Sequence, residues 1–511
     1  LMAANMHIIP KAIKMMDQYA GWDKMYKTLK WSFTKNSAFI NPPLTTAFGN
    51  RPGPARKVLY EKDGVRIVKG VGGKKLEQME WALKVLQEYV QAILLKKPYE
   101  LPEAFFKIVI KSEVHLATGV GIEFFESLKK IALKAREYFI PDLLTLCMSM
   151  LVHGERQKIE RGKLIRIGLN WNHGGMQFFA DDFLYTTPGM LYMMFDIKGF
   201  DTSVIKALLE LYSFSTSRYY TFDDPEDEFV FMELLEEITH RLTTKITQFI
   251  GNIWRVVYGV MPSGTFETSH GDSWIVALIF YCFIVYHLLN DLLFRKEFMA
   301  AYKLLKWALG VFGDDNLCAF FETLRAWFTE KNVTWFFKEF ANFEIRDFVI
   351  VDHFLSELDQ KGGLKNKGAV FLQKYAVDLP REFMGVDMPS VVHFRPLTTN
   401  VRKFGKGSGD KTQNIDCLLR AVSGPYDNPC NLQWYEFCRM AYNHFKKLEP
   451  NWKKKIDLVV SNKHSVVTRM IRKCHITKKD IERGFPDKGM LMSLLRKDRA
   501  KYDRSYQQDI W

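Results

Sequence analysis

The chain has 511 residues, 47% of them hydrophobic and 14% aromatic, with 40 Phe and 12 Trp. That length and apolar content exclude a mainly disordered chain and call for several subdomains around large cores. A formal charge of +14 favours a polyanionic partner, and seven dispersed cysteines without a CxxC pair argue against a disulfide framework or a zinc site.

In chain order, residues 1–60 mix short helical patches with NPPL (41–44) and RPGP (51–54), the pattern of an extended arm with little core of its own. GVRIVKGVGGKK (64–75) is glycine-rich and basic but lacks phosphate-loop spacing. Apolar residues recur at helical spacing over 75–95 and again over 124–140. Residues 154–167, GERQKIERGKLIRI, gather Arg156, Lys158, Arg161, Lys163 and Arg166. They form either a solvated charged segment or a basic strand facing phosphates. LYMMFDIKGFDTS (191–203) is an apolar strand ending in Asp196, with Asp201 five residues later, where a helix N-cap is also a reasonable role. Residues 205–255 read as largely helical, interrupted by the acidic FDDPEDE (222–228), expected as a solvated loop.

MPSGTFETSHGDSW (261–274) begins as a Ser-Gly loop, and its Ser269 and Asp272 have capping-box spacing. The apolar run 274–286 is too short to span a membrane and predicts a buried helix behind a sheet, with no membrane partner. WALGVFGDDNLCAFF (307–321) has the pattern of a β-hairpin whose turn carries adjacent carboxylates. Taken alone it also reads as a solvated turn. Two ionised carboxylates side by side repel each other unless a cation sits between them, and hard divalent ions favour such oxygen ligands. Residues 322–340 predict helix and IRDFVIV (345–351) a strand. Gly362, Gly363 and Gly368 break the chain before AVFLQKYAV (369–377). The remainder is mostly helical, with 452–504 rich in Lys and Arg: an RNA-facing surface or a merely solvated one.

An Asp closing a strand, a Ser-Gly loop followed by Thr, and Gly-Asp-Asp in a hairpin, in that order, resemble motifs A, B and C of viral RNA-dependent RNA polymerases over residues 150–380. Chain length and the MPSG and GDDN wording most resemble the picobirnaviruses, related to partitiviruses. The resemblance implies an α+β right-hand fold of fingers, palm and thumb, with an antiparallel palm sheet surrounded by helices. It divides the chain into an N-terminal arm packing on fingers and thumb (1–60), fingers (61–190), palm motif A (191–204), a fingers insertion (205–255), palm motifs B to E (256–377), and a thumb with a basic C-terminal region (378–511).

It further implies RNA-templated nucleotidyl transfer with two Mg²⁺ ions, or Mn²⁺, held by Asp196, Asp314 and Asp315. Asp201 would read the ribose 2′-hydroxyl, where reverse transcriptases carry a bulky aromatic. Ser263, Gly264 and Thr268 would contact the template–nucleotide pair. Asp272 stands where the family often has Asn; it is either part of sugar recognition or a helix-capping residue. Arg161, Lys163 and Arg166 would meet the triphosphate as motif F, and Lys374 the RNA. Lys361, Lys365 or Lys367 would supply the general acid. The implied partners are template and nascent RNA, NTPs and a capsid protein, in the virion interior or host cytoplasm, with primer-independent initiation. The competing readings are a reverse transcriptase and a non-catalytic RNA-binding, capsid-associated protein.

Overall fold

The computed structural model describes residues 1–35, 56–62, 65–71, 75–111, 123, 136–248, 253–404, 413–460, 467–468, 471, 474 and 476–505. Its central sheet contains β1 (Met190–Ile197), β2 (Trp307–Phe312), β3 (Asp315–Phe321) and β4 (Ile345–Val351), all antiparallel, in the order β2-β3-β1-β4. Successive side chains of a strand point to opposite faces, and here both faces are covered. Leu191, Met193, Phe195, Ile197, Leu309, Val311, Cys318 and Phe320 join one core. Met190, Tyr192, Met194, Ala308, Leu317 and Ala319 join a second core with Phe179, Phe183, Phe354 and Phe371. Double-sided burial explains why LYMMF is an unbroken apolar run without alternation.

The first core is filled by helices α1 (Ile8–Ala20), α2 (Thr268–Asn290) and α3 (Glu330–Ala341). Helix α2 extends beyond the apolar run 274–286 at both ends and is apolar all round, which suits a helix enclosed by protein. By length and composition it could cross a membrane, but 78% of its most apolar window is buried inside the fold. The start of the N-terminal arm is helical and not extended. Ile8, Ile9, Ala12 and Met16 of α1 enter this core, and the Leu309 N–H donates to Tyr19 Oη at 3.0 Å.

Three expectations fail locally. The helical reading of 124–140 ends in a strand, Arg136–Pro141; residues 124–135 lie outside the described residues. The end of the 205–255 stretch is also extended. Thr244–Gln248 pairs with Trp254–Tyr258, and these join Phe105–Lys111 and Arg136–Pro141 in a second four-stranded sheet. KITQ and WRVVY are β-branched and aromatic, and pairing with a distant strand outweighs the helical pattern before them. FDDPEDE is only half loop. Asp224 caps the helix Pro225–Thr243, Pro225 opens it, and Glu226, Asp227 and Glu228 fill its first turn, where the exposed amide dipoles favour negative charge.

A third sheet comprises Val370–Phe371, Lys374–Asp378 and Val391–Phe394. Its hairpin turn places both Leu372 and Gln373 at positive φ, as a tight type I′ turn requires. A boundary at 378 therefore crosses a sheet, and one at 256 crosses the strand Trp254–Tyr258. The C-terminal helices Gln413–Asp427 and Leu432–Leu448 belong to a separate arrangement, with Leu418, Leu419, Val422, Tyr426, Trp452 and Ile456 at its core.

Candidate active site

The β2–β3 turn consists of Gly313 and Asp314, since Phe312 pairs with Asp315. Gly313 has φ 61°, the left-handed value needed at the first central position of a two-residue hairpin turn. Its N–H donates to Ser273 Oγ on α2 at 2.8 Å. Buried Asn316 donates through Nδ2 to the Phe195 carbonyl at 2.8 Å and to the Asp314 carbonyl at 3.1 Å. These bonds seat the turn at the end of β1. Continuing the β3–β1 register past Cys318–Met193 brings Asp315 level with Asp196.

The carboxylates of this corner crowd one another. Asp314 shares a side-chain hydrogen bond with Asp196; burial first, then the charges of Asp315 and Asp196, push its carboxyl up to about 7. Such a rise marks negative charge lacking a counter-ion. Asp196 has one cation already. Arg346 lies opposite it in the β4 register, and both Nε and Nη2 reach Asp196 Oδ2. Among the described residues no three His, Cys, Asp or Glu side chains are gathered as a metal cluster. The donor set still fits a hard divalent cation in kind: all oxygen, and carrying more negative charge than one guanidinium offsets. Asp196 and Asp314 would hold it, with the exposed Asp315 beside them.

One turn beyond β1, Asp201 sits in the short helix Phe200–Ser203. Gly199 occupies the N-cap, so capping is not the role of Asp201. Asp272, 4% exposed on α2, hydrogen-bonds to Asp201. Burial, the charges of Asp201 and Asp314, and that bond hold the Asp272 carboxyl well above the usual range. Keeping its proton, Asp272 donates a hydrogen bond to Asp201, as a carboxylate cannot. The expected capping box is overturned. The Thr265 and Thr268 hydroxyls donate to the Pro262 carbonyl at 3.0 and 2.7 Å, α2 begins at Thr268, and Asp272 falls in its second turn. In the loop, Ser263 precedes Gly264 and its Oγ is buried without a hydrogen bond.

The basic segment lies along the β2 edge. Ile165 bridges Val311, the Arg166 N–H donates to the Val311 carbonyl, and the Val311 N–H to the Leu164 carbonyl, each at 2.9 Å. Arg161 is half-buried, and Lys163 is exposed with its ammonium 4.1 Å from the Tyr19 ring centroid. Arg166 departs from expectation. It is 2% exposed, paired with Asp182 at 2.8 Å and stacked over Phe179 and Phe183, so its charge supports the sheet and does not face a triphosphate. Lys374 departs likewise. It is 1% exposed and donates to the Asp427 carbonyl at 2.7 Å, which takes it away from any RNA. Lys361, Lys365 and Lys367 are exposed on or beside the hairpin Glu357–Leu358/Leu364–Asn366.

The structure thus brings together Asp196, Asp314, Asp201 and Asp272 from three separate stretches. Sequence reasoning missed Arg346 and Ser273. The Arg346-Asp347 pair near the start of the mostly apolar IRDFVIV was the available signal for Arg346; Ser273, inside an apolar helix, gave none.

No family model matches the chain, and no curated protein matches it. Among solved structures it is similar to the Sicinivirus 3Dpol RNA dependent RNA polymerase, with a TM-score of 0.48 and 14% identity, covering 76% of this chain and 72% of that one.

Proposed function

We propose that the chain is an RNA-directed RNA polymerase, extending RNA on an RNA template from nucleoside triphosphates. The observation that carries the reading is the meeting of Asp196 and Asp314 across neighbouring strands, with the Asp201–Asp272 pair close enough that both Asp201 and Asp314 act on Asp272. Ordered motifs separated by more than a hundred residues converge on one corner, and this convergence supports a polymerase over a passive RNA-binding protein.

In nucleotidyl transfer the 3′-oxygen of the growing strand forms a bond to the α-phosphorus. The bond from that phosphorus to the β-phosphate oxygen breaks, and pyrophosphate leaves. Two divalent cations held by Asp196 and Asp314, with Asp315 as an outer ligand, would supply activation of the attacking hydroxyl and neutralisation of the leaving group. Asp201 accepts a hydrogen bond from the ribose 2′-hydroxyl, and the proton on Asp272 fixes the Asp201 carboxylate for that contact. An acceptor there, with no bulky side chain, selects ribonucleotides and argues against reverse transcription. Arg161 and Lys163 are the remaining basic candidates for the triphosphate, and Lys361 or Lys365 for protonating pyrophosphate. The same reading assigns fingers, palm and thumb around the central sheet, and a double-stranded-RNA virus of the picobirnavirus kind. It includes primer-independent initiation and residence with a capsid protein in the virion interior or host cytoplasm.

The test is ribonucleotide incorporation on a single-stranded RNA template by wild type and Asp314→Ala. Metal-dependent, template-length product from wild type alone supports the assignment; equal synthesis by the variant overturns it.

A further inference from the structure

We infer that Lys245 is a positioning residue that holds Asp201 and the Ser263–Gly264 loop in register with each other, although it lies outside every recognised motif. This rests on the polymerase reading above. Lys245 is fully buried on the strand Thr244–Gln248. Its ammonium donates to three carbonyls: Leu242 at 2.6 Å, Val260 at 2.8 Å, and Gly259. That matches the full donor capacity of an ammonium group. Burying a cation among neutral carbonyls is unfavourable, and burial pulls this amine down to about 7.

The geometry indicates what the cation maintains. Gly259 and Val260 both adopt left-handed backbone, φ 65° and 62°. For a β-branched residue such as Val260 this conformation is strained and persists only where its surroundings enforce it. Their carbonyls point at Lys245. On the other side of the same kink, the Val260 N–H donates to the Val204 carbonyl at 2.7 Å and the Met261 N–H to the Asp201 carbonyl at 2.8 Å. A Cβ on Gly259 would lie 2.9 Å from the Val204 carbonyl oxygen, so the approach is as close as glycine permits. Met261 leads directly into Pro262, whose carbonyl takes the Thr265 and Thr268 hydroxyls ahead of α2 and Asp272. One kink therefore joins the backbone of Asp201 to the loop that starts the helix carrying Asp272. Lys245 closes that kink from behind.

If Lys245 only stabilised the fold, its loss would lower the melting temperature and leave substrate preference alone. As a positioning residue it affects ribose recognition in particular. Lys245→Met keeps the stem and removes the donors; Gly259→Ala keeps the ammonium and forces the kink off Val204. Thr247→Ala, two residues along the same strand in a fully buried position paired with Phe106 and Arg255, is the stability control. Steady-state incorporation of UTP and dUTP is measured for each, at equal distance below its own melting temperature. Lys245→Met and Gly259→Ala are expected to reduce the UTP-to-dUTP ratio of kcat/KM about tenfold, mainly through a higher KM for UTP. Thr247→Ala is expected to retain the wild-type ratio. Should Lys245→Met not fold, Gly259→Ala reports on the same kink. A wild-type ratio in either folded kink variant, or an equal loss in Thr247→Ala, overturns the inference. Absence of templated synthesis by wild type would instead overturn the polymerase reading on which it rests.

Discussion

Replacing Asp314 by Asn keeps the shape of the turn and removes one of its crowded charges, so the effect on stability depends on pH in a calculable way. The Asp314 carboxyl ionises near 3.8 in an unfolded chain and is pushed up to about 7 in the folded one. Between those values the folded protein keeps a proton that the unfolded chain releases. Stability therefore falls as pH rises from 4 to 7 and levels off above. A rise of three units corresponds to about 4 kcal/mol. Because burial and the charges of Asp315 and Asp196 raise it together, one substitution should relieve about half of that, about 2 kcal/mol. In chelator, urea unfolding at pH 8 should find Asp314→Asn more stable than wild type by about 2 kcal/mol, and at pH 4 by almost nothing. Added Mn²⁺ should then stabilise wild type far more than the variant. A variant that is less stable at pH 8, or offset from wild type equally at both pH values, would refute the crowding of charge at this corner.

Other outcomes follow from the surrounding contacts. Glu160 is fully buried; burial alone would raise its carboxyl, but Arg156 at 3.0 Å, His270 and the Tyr219 hydroxyl bring it down to about 2. Its ionised form contributes stability above the unfolded value and loses it as pH falls toward 2. Glu160→Gln should cost about 3–5 kcal/mol in thermal or urea unfolding at pH 7, and a change below 1 kcal/mol would contradict the ion pair. The half-exposed Arg346–Asp196 pair should matter little to the fold: Arg346→Ala should change stability by less than about 1 kcal/mol. It should also lower the Mn²⁺ concentration that half-saturates the stabilisation, and a higher value would show that Arg346 does not compete for Asp196. Asp201→Ala should reduce the UTP-over-dUTP preference at least about tenfold, and retained preference would remove Asp201 from ribose reading.

What was legible in the sequence divides along physical lines. The hairpin at 307–321 and the strand at 191–197 carry their own signals: long apolar runs, a turn glycine, and carboxylates that an apolar sheet would not otherwise tolerate. The buried helix α2 was equally plain, because an all-apolar run between polar ends has few alternatives. Contacts set by tertiary register were not legible. Arg346 acquires its meaning only from standing opposite Asp196 across two strands 150 residues apart in the chain. Lys374 and Arg166 looked like exposed basic residues, and only Asp427 and Asp182, brought in by folding, show why they are buried. The strand Thr244–Gln248 follows a long helix directly, and besides its neighbour Trp254–Tyr258 it pairs with Phe105–Lys111, more than 130 residues upstream. No local pattern could encode that pairing.

Labelled ribonucleotides and a short single-stranded RNA, supplied to wild type and Asp314→Ala with Mg²⁺ and with chelator, separate a templated polymerase from a passive RNA binder. A polymerase with its metals at Asp314 yields template-length product only from wild type with metal, while both proteins bind the RNA with similar affinity. RNA binding without synthesis by wild type under Mg²⁺ and Mn²⁺, or product that survives loss of Asp314, would contradict it.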